Sequence, residues 1–293
     1  MFQQTILPEV IRVESIITIH CYDYCPDFSF AGEQHDFWEM VYIDVGEVCI
    51  VADNESYTLG SGEAFFHKPN EFHSIRANNV YASVIVITFE TDSKHLFQLV
   101  DQIISFTEKQ KRIISEILKE AVETFAEPLD IVNQRSLIKR TDAPFGAEQI
   151  LKTYLEQMLI DIVRSQAQSS ENLSNIDLGL QDEERVVSQI IRVLEKNIEK
   201  NLSLDEIATY VQYSKSYIKT KFKKVTGFTI HQMYTKMKLS HSKKLLSENK
   251  YLISEISEML GFSSVHHFSK VFKSHIGMPP SVYQRSVRKK SLL

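Results

Sequence analysis

The stretch Ile253-Ser254-Glu255-Ile256-Ser257-Glu258-Met259-Leu260-Gly261-Phe262, continued by Phe268-Ser269-Lys270-Val271-Phe272-Lys273 and Gly277, decides how this chain is read. Ile256 and Leu260 are four residues apart and share one helical face, Gly261 allows a tight turn, and Phe262 closes it. From Ser264 a second helix buries Phe268 and Phe272 and turns Val265, His266, His267, Lys270 and Lys273 outward. A short helix, a turn and a helix with a polar outer stripe make the helix-turn-helix pattern.

The pattern occurs twice. Glu206-Ile207-Ala208 matches Glu255-Ile256-Ser257 at an offset of 49 residues. Ile218, Phe222, Lys223 and Gly227 match Phe268, Phe272, Lys273 and Gly277 at an offset of 50, so the second turn is one residue longer. In the first copy Ser203 and Glu206 have the spacing of a capping box, and Ser214 is placed to cap a helix over 215–225. That helix buries Ile218 and Phe222 and leaves Lys215, Ser216, Lys219, Thr220 and Lys223 on other faces. A helix over about 229–247 joins the copies. An all-helical domain with a merely solvated basic face is the competing reading.

Charge separates the two. Residues 201–293 hold 16 Lys+Arg against 5 Asp+Glu, a net of +11, while residues 1–200 hold 17 against 33, a net of −16. The overall −5 of this 293-residue chain therefore hides a basic C-terminal third suited to phosphates and an acidic remainder that they would repel. Composition is otherwise that of a globular protein, and Val84-Ile85-Val86-Ile87 is far shorter than the ~18 apolar residues a membrane span needs. Met1-Phe2-Gln3-Gln4 lacks the basic start of a secretory signal, and three cysteines make no disulfide framework. The expectation is a reduced, cytoplasmic chain that contacts no membrane.

The first ninety or so residues alternate short β-branched runs (Ile16 to Ile19, Met40 to Val45, Val48 to Ala52, Tyr81 to Phe89) with turn signals at Asp53-Asn54, Gly60-Ser61-Gly62 and Pro69-Asn70. They predict a sandwich or barrel. Helical stripes follow: Ile113, Ile114, Ile117, Leu118, Ala121, Phe125, then Ile150, Leu151, Tyr154, Leu155, Met158, Leu159, Ile162, Val163. The Ser/Asn/Gln-rich segment near 166–181 marks a linker.

Residues 186–287 resemble the AraC/XylS family of bacterial transcription regulators. The resemblance is carried by Leu204-x-x-Ile207-Ala208, Ser214-x-x-Tyr217-Ile218-x-x-x-Phe222-Lys223-Lys224-x-Thr226-Gly227, Lys238, Ser242, Leu245-Leu246, the opening stretch, Pro280 and Tyr283. Departures are Ser242 and Ser257 where alanine is usual, Lys238 where arginine is usual, and Gln284 after Tyr283. The resemblance implies two recognition helices in successive major grooves. Base-reading positions then fall on Ser216, Lys219 and Thr220, and on Val265, His266, His267 and Lys270, with Lys215, Lys223 and Lys273 on phosphates. Adjacent His266 and His267 diverge on a helix and suggest no metal pair, and Cys21-x-x-x-Cys25 reads as two strand cysteines.

His35-x-x-x-Glu39-x6-Gly46 and Gly62-x6-Pro69-Asn70-x-x-His73 resemble the two motifs of cupin barrels. On a single strand Glu33, His35, Phe37 and Glu39 would share an inward face. Metal-binding cupins carry a histidine where this chain has Glu33, and Lys68 and Asn70 stand where proline and glycine are common. Three readings stay open: an effector pocket lined by Glu33, His35, Glu39 and His73, a metal site with Glu33 replacing a histidine, and a polar core in a barrel that only dimerises.

The fold expected is multidomain: an N-terminal all-β cupin-like barrel with following helices, then an all-α domain with two helix-turn-helix units joined by a long helix. Its parts are an effector-sensing barrel over 1–95, a helical dimerisation region over 96–166, a linker over 167–184 and a DNA-binding domain over 185–293. The expected function is a ligand-responsive, sequence-specific transcription regulator, an activator rather than an enzyme, needing no cofactor. Expected partners are promoter half-sites in double-stranded DNA, a small-molecule effector (a sugar, by the resemblance), a second copy in a homodimer, and RNA polymerase. A constitutive regulator and a metal-dependent cupin enzyme with a helical appendage are the alternatives. The charge division predicts that a fragment spanning 185–293 binds non-specific duplex more tightly than the whole chain, with affinity falling steeply as salt rises. Equal affinities in fluorescence anisotropy titrations at low salt would refute that prediction.

Overall fold

The structure, a computed structural model, describes residues 3–131, 134–169 and 178–290. They divide into two compact units, the first holding the strands and two helices, the second the helices from Leu178 onward.

The strands of the first unit are β1 (Ser15–Tyr24), β2 (Ser29–Glu33), β3 (Trp38–Val45), β4 (Glu47–Ala52), β5 (Glu55–Gly60), β6 (Glu63–His67), β7 (His73–Ala77), β8 (Ala82–Glu90) and β9 (Ile104–Ser105). They make two sheets, ordered β1-β8-β3-β6-β9 and β2-β7-β4-β5. The turns at Asp53 and Asn70 take left-handed backbone (φ 49° and 64°), which short polar side chains tolerate. Cys21 lies on β1, whereas Cys25 falls just beyond it, and none of the three cysteines is in a disulfide.

Strands β3 and β8 are apolar along nearly their whole length because both of their faces are covered. Trp38, Met40, Tyr42, Ile85, Ile87 and Phe89 join one core with Ile113, Ile114, Ile117 and Ala121 of α1 (Glu108–Thr124) and with Leu151, Leu155, Met158, Leu159 and Ile162 of α2 (Ala147–Ser169). The alternate residues of β3, Glu39 and Val41 among them, point to the other face. Both helical stripes thus lie against the sheet. Ile150 departs from the expected stripe: it is exposed, about 100° around the helix from the packed Leu151. Thr107 starts α1 with a capping box, its hydroxyl accepting from the Gln110 backbone N–H while the Gln110 side chain accepts from the Thr107 N–H.

One expectation fails locally. Residues 33–39 are not a single strand: Glu33 ends β2, Gln34 to Phe37 form a connection between the two sheets, and Glu39 lies on β3. Of the expected linker over 167–184, residues 170–177 lie outside the described residues, and its flanks belong to α2 and to α3 (Leu178–Lys196).

The second unit continues with α4 (Leu204–Val211), α5 (Lys215–Thr226), α6 (Ile230–Glu248), α7 (Ile253–Met259), α8 (Val265–Ile276) and α9 (Pro280–Lys290). Ser203 and Glu206 form the predicted capping box of α4, and Ser214 and Ser264 cap α5 and α8. α3 packs on α4 and α5, while α6 runs from the first helix pair to the second. Ile207, Val211, Ile218 and Phe222 are buried in the first pair, and Ile256, Leu260, Phe268 and Phe272 share a core with Leu239 and Leu246 of α6 in the second.

A clamp joins the two pairs. Gly261 has φ 64°, and a Cβ there would lie 2.3 Å from the Glu199 carbonyl oxygen, so only glycine admits the chain that leaves α3. Beside it the Lys238 ammonium, 5% exposed, donates to the carbonyls of Lys200 (2.5 Å) and Leu260 (2.6 Å) and faces the rings of Tyr234 and Phe262. The Tyr234 hydroxyl also donates to the Lys200 carbonyl at 2.8 Å. Ser242, another departure from the family pattern, is buried with its hydroxyl donating to the Leu239 carbonyl at 2.7 Å.

Lys238→Met keeps the stem but removes the ammonium from the Leu260 carbonyl and leaves the Lys200 carbonyl only the Tyr234 hydroxyl, and urea unfolding followed by helical circular dichroism should show a loss of about 2 kcal/mol. Burial pulls the Lys238 ammonium down from the ordinary lysine range to about 8. Between that value and the unfolded one near 10.4 the unfolded chain binds more protons, so stability contributed by this group rises with pH over the interval. Wild type should therefore gain stability relative to Lys238→Met from pH 8 to 10. Parallel pH curves would count against the burial of the ammonium.

Candidate functional site

In the first unit the four predicted residues converge from three directions. Glu33, at the end of β2, is the register partner of His73, the first residue of β7. His35 sits in the connection, and Glu39 is on β3. Asn70 donates its backbone N–H to the His35 carbonyl at 2.7 Å, and the Gln34 amide donates to the Asn70 carbonyl at 2.7 Å, so the loop before β7 holds the connection in place. The Phe37 ring stacks on His35 with centroids 3.8 Å apart. Although no strand runs through 33–39, these side chains still meet: the ligating atoms of Glu33, His35, Glu39 and His73 lie within 4.8 Å of one another.

Glu39 is the buried centre of the group. Its carboxylate is 3.7 Å from His35 Nε2 and 3.6 Å from His73 Nε2, and His73 Nε2 is 4.0 Å from the Glu33 carboxylate. Burial would raise the Glu39 carboxyl, but the surrounding imidazoles outweigh it and hold the group below the usual carboxylate range. Burial lowers His73 despite the Glu39 charge. At His35 burial acts in the same direction, yet Glu39 wins and the imidazole is raised.

Three further groups surround this cluster and were not anticipated. His67 pairs with Glu39 across β3 and β6, and its ring stacks on His73 with centroids 4.4 Å apart. His67 Nδ1 is 2.6 Å from a Glu71 oxygen, and the Lys68 ammonium donates to the other at 2.8 Å. Burial opposes the Glu71 charge, but His67 and Lys68 hold its carboxyl below the usual range. His20, on β1, is buried, stacks on Tyr22, and is lowered chiefly by burial. Period-two counting along Phe65, His67 and along Thr18, His20 would have placed both histidines on inward faces.

In the second unit Ser216, Lys219, Thr220 and Lys223 are exposed on α5, and Val265, His266, His267, Lys270 and Lys273 are exposed on α8. Each helix buries its opposite face through Ile218 and Phe222, or Phe268 and Phe272. Lys215 is exposed and ion-paired with Asp205 of α4 at 2.8 Å, a partner that the spacing of the sequence did not suggest. His267 is oriented by Ser263, whose hydroxyl lies 3.1 Å from Nδ1, and by the edge of Phe262. Tyr213 and Tyr217 stack beside α5, with the Lys221 ammonium 5.7 Å from the Tyr217 ring.

Comparison with known proteins gives a domain assignment for each unit. Residues 17–92 match the AraC-like ligand binding domain, and residues 207–286 match a helix-turn-helix domain. The chain is 24% identical over 266 residues to the HTH-type transcriptional activator RhaR of Salmonella dublin, covering 89% of each. It is 21% identical over 267 residues to that of Enterobacter sp. strain 638, covering 91% of each. Among solved structures, an AraC-type transcriptional regulator from Chromobacterium violaceum is 28% identical, covering 36% of this chain and 96% of that one with a TM-score of 0.35. ToxT from Vibrio cholerae O395 is 18% identical, covering 92% and 98% with a TM-score of 0.33. With a ligand-binding domain of this type in its N-terminal part and a repeated helix-turn-helix in its C-terminal part, the chain belongs to the AraC family of ligand-responsive, DNA-binding transcription regulators.

Proposed function

We propose that this regulator is an activator controlled by a small polar effector held among Glu33, His35, Glu39 and His73, and that α5 and α8 read two successive major grooves. The observation that carries the DNA-reading half is the repeated two-sidedness of the recognition helices: an apolar face buried around a phenylalanine pair or its equivalent, and an outward face of hydroxyl, imidazole and ammonium groups. Ser216, Lys219, Thr220, Val265, His266, His267 and Lys270 contact base edges, and Lys215, Lys223 and Lys273 contact phosphates. On DNA, Lys215 exchanges its exposed Asp205 partner for a phosphate, an exchange of little cost because surface ion pairs are weak. The activator role is supported by the relatives named as transcriptional activators, and catalysis has no part in this reading.

The sensing residues belong to a barrel over 1–95, followed by helices over 96–166 that mediate a homodimer, a linker and a DNA-binding domain over 185–293. Since the apolar stripes of α1 and α2 lie against the sheet, dimer contacts fall to outward residues such as Val122, Ile138 and Ile150. A dimer would raise affinity for paired half-sites by linkage. The regulator acts in the cytoplasm, where it would contact RNA polymerase. Among the described residues no helix is long and apolar enough to cross a membrane.

Selection of duplexes from a random pool, with and without candidate effectors, tests the whole reading: it should return two half-sites about one helical turn (~34 Å) apart. On such a duplex Lys219→Ala should cost about 1–3 kcal/mol and relax preference at one base position, whereas Lys223→Ala should weaken all sequences alike and reduce the salt slope by about one. Recovery of duplexes with no shared sequence would refute it.

A further inference from the structure

We propose that Glu33, His35, Glu39 and His73 bind a divalent first-row transition-metal ion, through Nε2 of both histidines and the Glu39 carboxylate, with Glu33 closing the site from its rim. The inference rests on the reading of these four residues as the effector site and supplies that site with its polar anchor.

The hydrogen positions follow from the second partners of the rings. His35 Nδ1 lies 3.1 Å from the Phe37 carbonyl oxygen, and His73 Nδ1 lies 3.1 Å from the Glu71 carbonyl oxygen. A carbonyl only accepts, so each Nδ1 carries a hydrogen, and each ring, once its Nε2 is deprotonated, presents that lone pair to the cluster. Both Nε2 atoms are buried without a hydrogen-bond partner. What they face is the Glu39 carboxylate, which is also an acceptor. Two lone pairs and an anion pointed at one another repel unless a positive charge, a ring proton or a metal ion, lies between them.

Distances choose the cation. If Nε2–H groups bridged to Glu39, charge-assisted bonds of about 2.7–2.9 Å would be expected. The separations are 3.6 and 3.7 Å, with 4.0 Å to Glu33. Ligands each about 2.1 Å from a common ion sit about 3.0–3.4 Å apart at octahedral or tetrahedral angles, so the two Glu39–histidine pairs need only a few tenths of an ångström of closure, and the wider pairs, all within 4.8 Å, need more, supplied by the exposed Glu33 side chain at the rim. Two imidazole nitrogens with carboxylate oxygen suit zinc, iron(II), cobalt(II), nickel(II) or manganese(II) better than calcium or magnesium. The carbonyls behind each ring are the outer partners that orient metal-bound histidines. Burial supports the same assignment: Glu39 and His73 are 7% and 4% exposed, where an uncompensated carboxylate is costly, while the Glu33 side chain is 53% exposed and gives a way in.

The test uses the full-length chain, stripped with chelator and titrated with Co²⁺ (followed by its visible absorption) and with Zn²⁺ by calorimetry. One ion per chain is expected, with His73→Gln and Glu39→Gln each weakening uptake by at least about 100-fold and Glu33→Gln by about 10-fold. Should the buried variants fail to fold by circular dichroism, the exposed Glu33→Gln variant and the wild-type stoichiometry decide. Absence of uptake by wild type, or uptake equal in wild type and Glu33→Gln, overturns the site. DNA affinity on a selected duplex separates this inference from the effector reading beneath it. An ion that binds through these residues without changing DNA affinity upholds the metal site and removes the effector role. An organic effector that acts on metal-free protein with no uptake of Co²⁺ or Zn²⁺ does the reverse.

Discussion

The arrangement of the DNA-reading unit depends on one contact: a lysine ammonium held between the carbonyls of Lys200 and Leu260, beside a glycine where the chain leaving α3 leaves no room for a Cβ. Each helix pair has its own small core, and neither core alone fixes where the other pair sits. Lys238 comes from the joining helix and ties the end of α3, against which the first pair packs, to the end of α7, which begins the second. Two recognition helices can read two grooves only if their spacing is held. That spacing is set by hydrogen bonds and close approach as well as by the length of α6.

The sensing unit is organised around an opposite problem, since Glu39 is a buried anion ringed by imidazoles. Its neighbours are locked from outside the cluster: His35 and His73 by backbone carbonyls, His67 by Glu71, and Glu71 by Lys68. Side chains with so little freedom suit a site built to recognise one charge distribution, because little ordering remains to be done on binding.

Much of this was legible in the sequence, and the illegible part has identifiable causes. The paired helices, their caps at Ser203, Ser214 and Ser264 and the buried phenylalanines follow from local spacing, which a helix imposes directly. The convergence of Glu33, His35, Glu39 and His73 was read from motif resemblance while the strand assumed to carry it was wrong: the connection at 34–37 changes sheets, and long-range pairing between β2 and β7 completes the group. Period-two counting turns His67 and His20 inward, but which side chains they meet there is set by cross-strand register, which local pattern does not show. Lys238 read as a mild departure from arginine. Its partners are 38 and 22 residues away, so no spacing rule could reveal that it anchors two carbonyls.

Strand β3 has a consequence of its own. Successive residues along it serve different masters: Met40 belongs to the core shared with α1 and α2, and Glu39, one peptide away, belongs to the polar cluster. A strand in a well-packed sheet moves as a unit, because shifting one residue drags its ladder partners on β6 and β8. The wall between the helices and the cluster is therefore a single β-strand thick. A ligand on the polar side that displaced Glu39 would shift the backbone that carries Met40 into the helical core, and by reciprocity a repacking of α1 or α2 that moved β3 would alter affinity on the polar side.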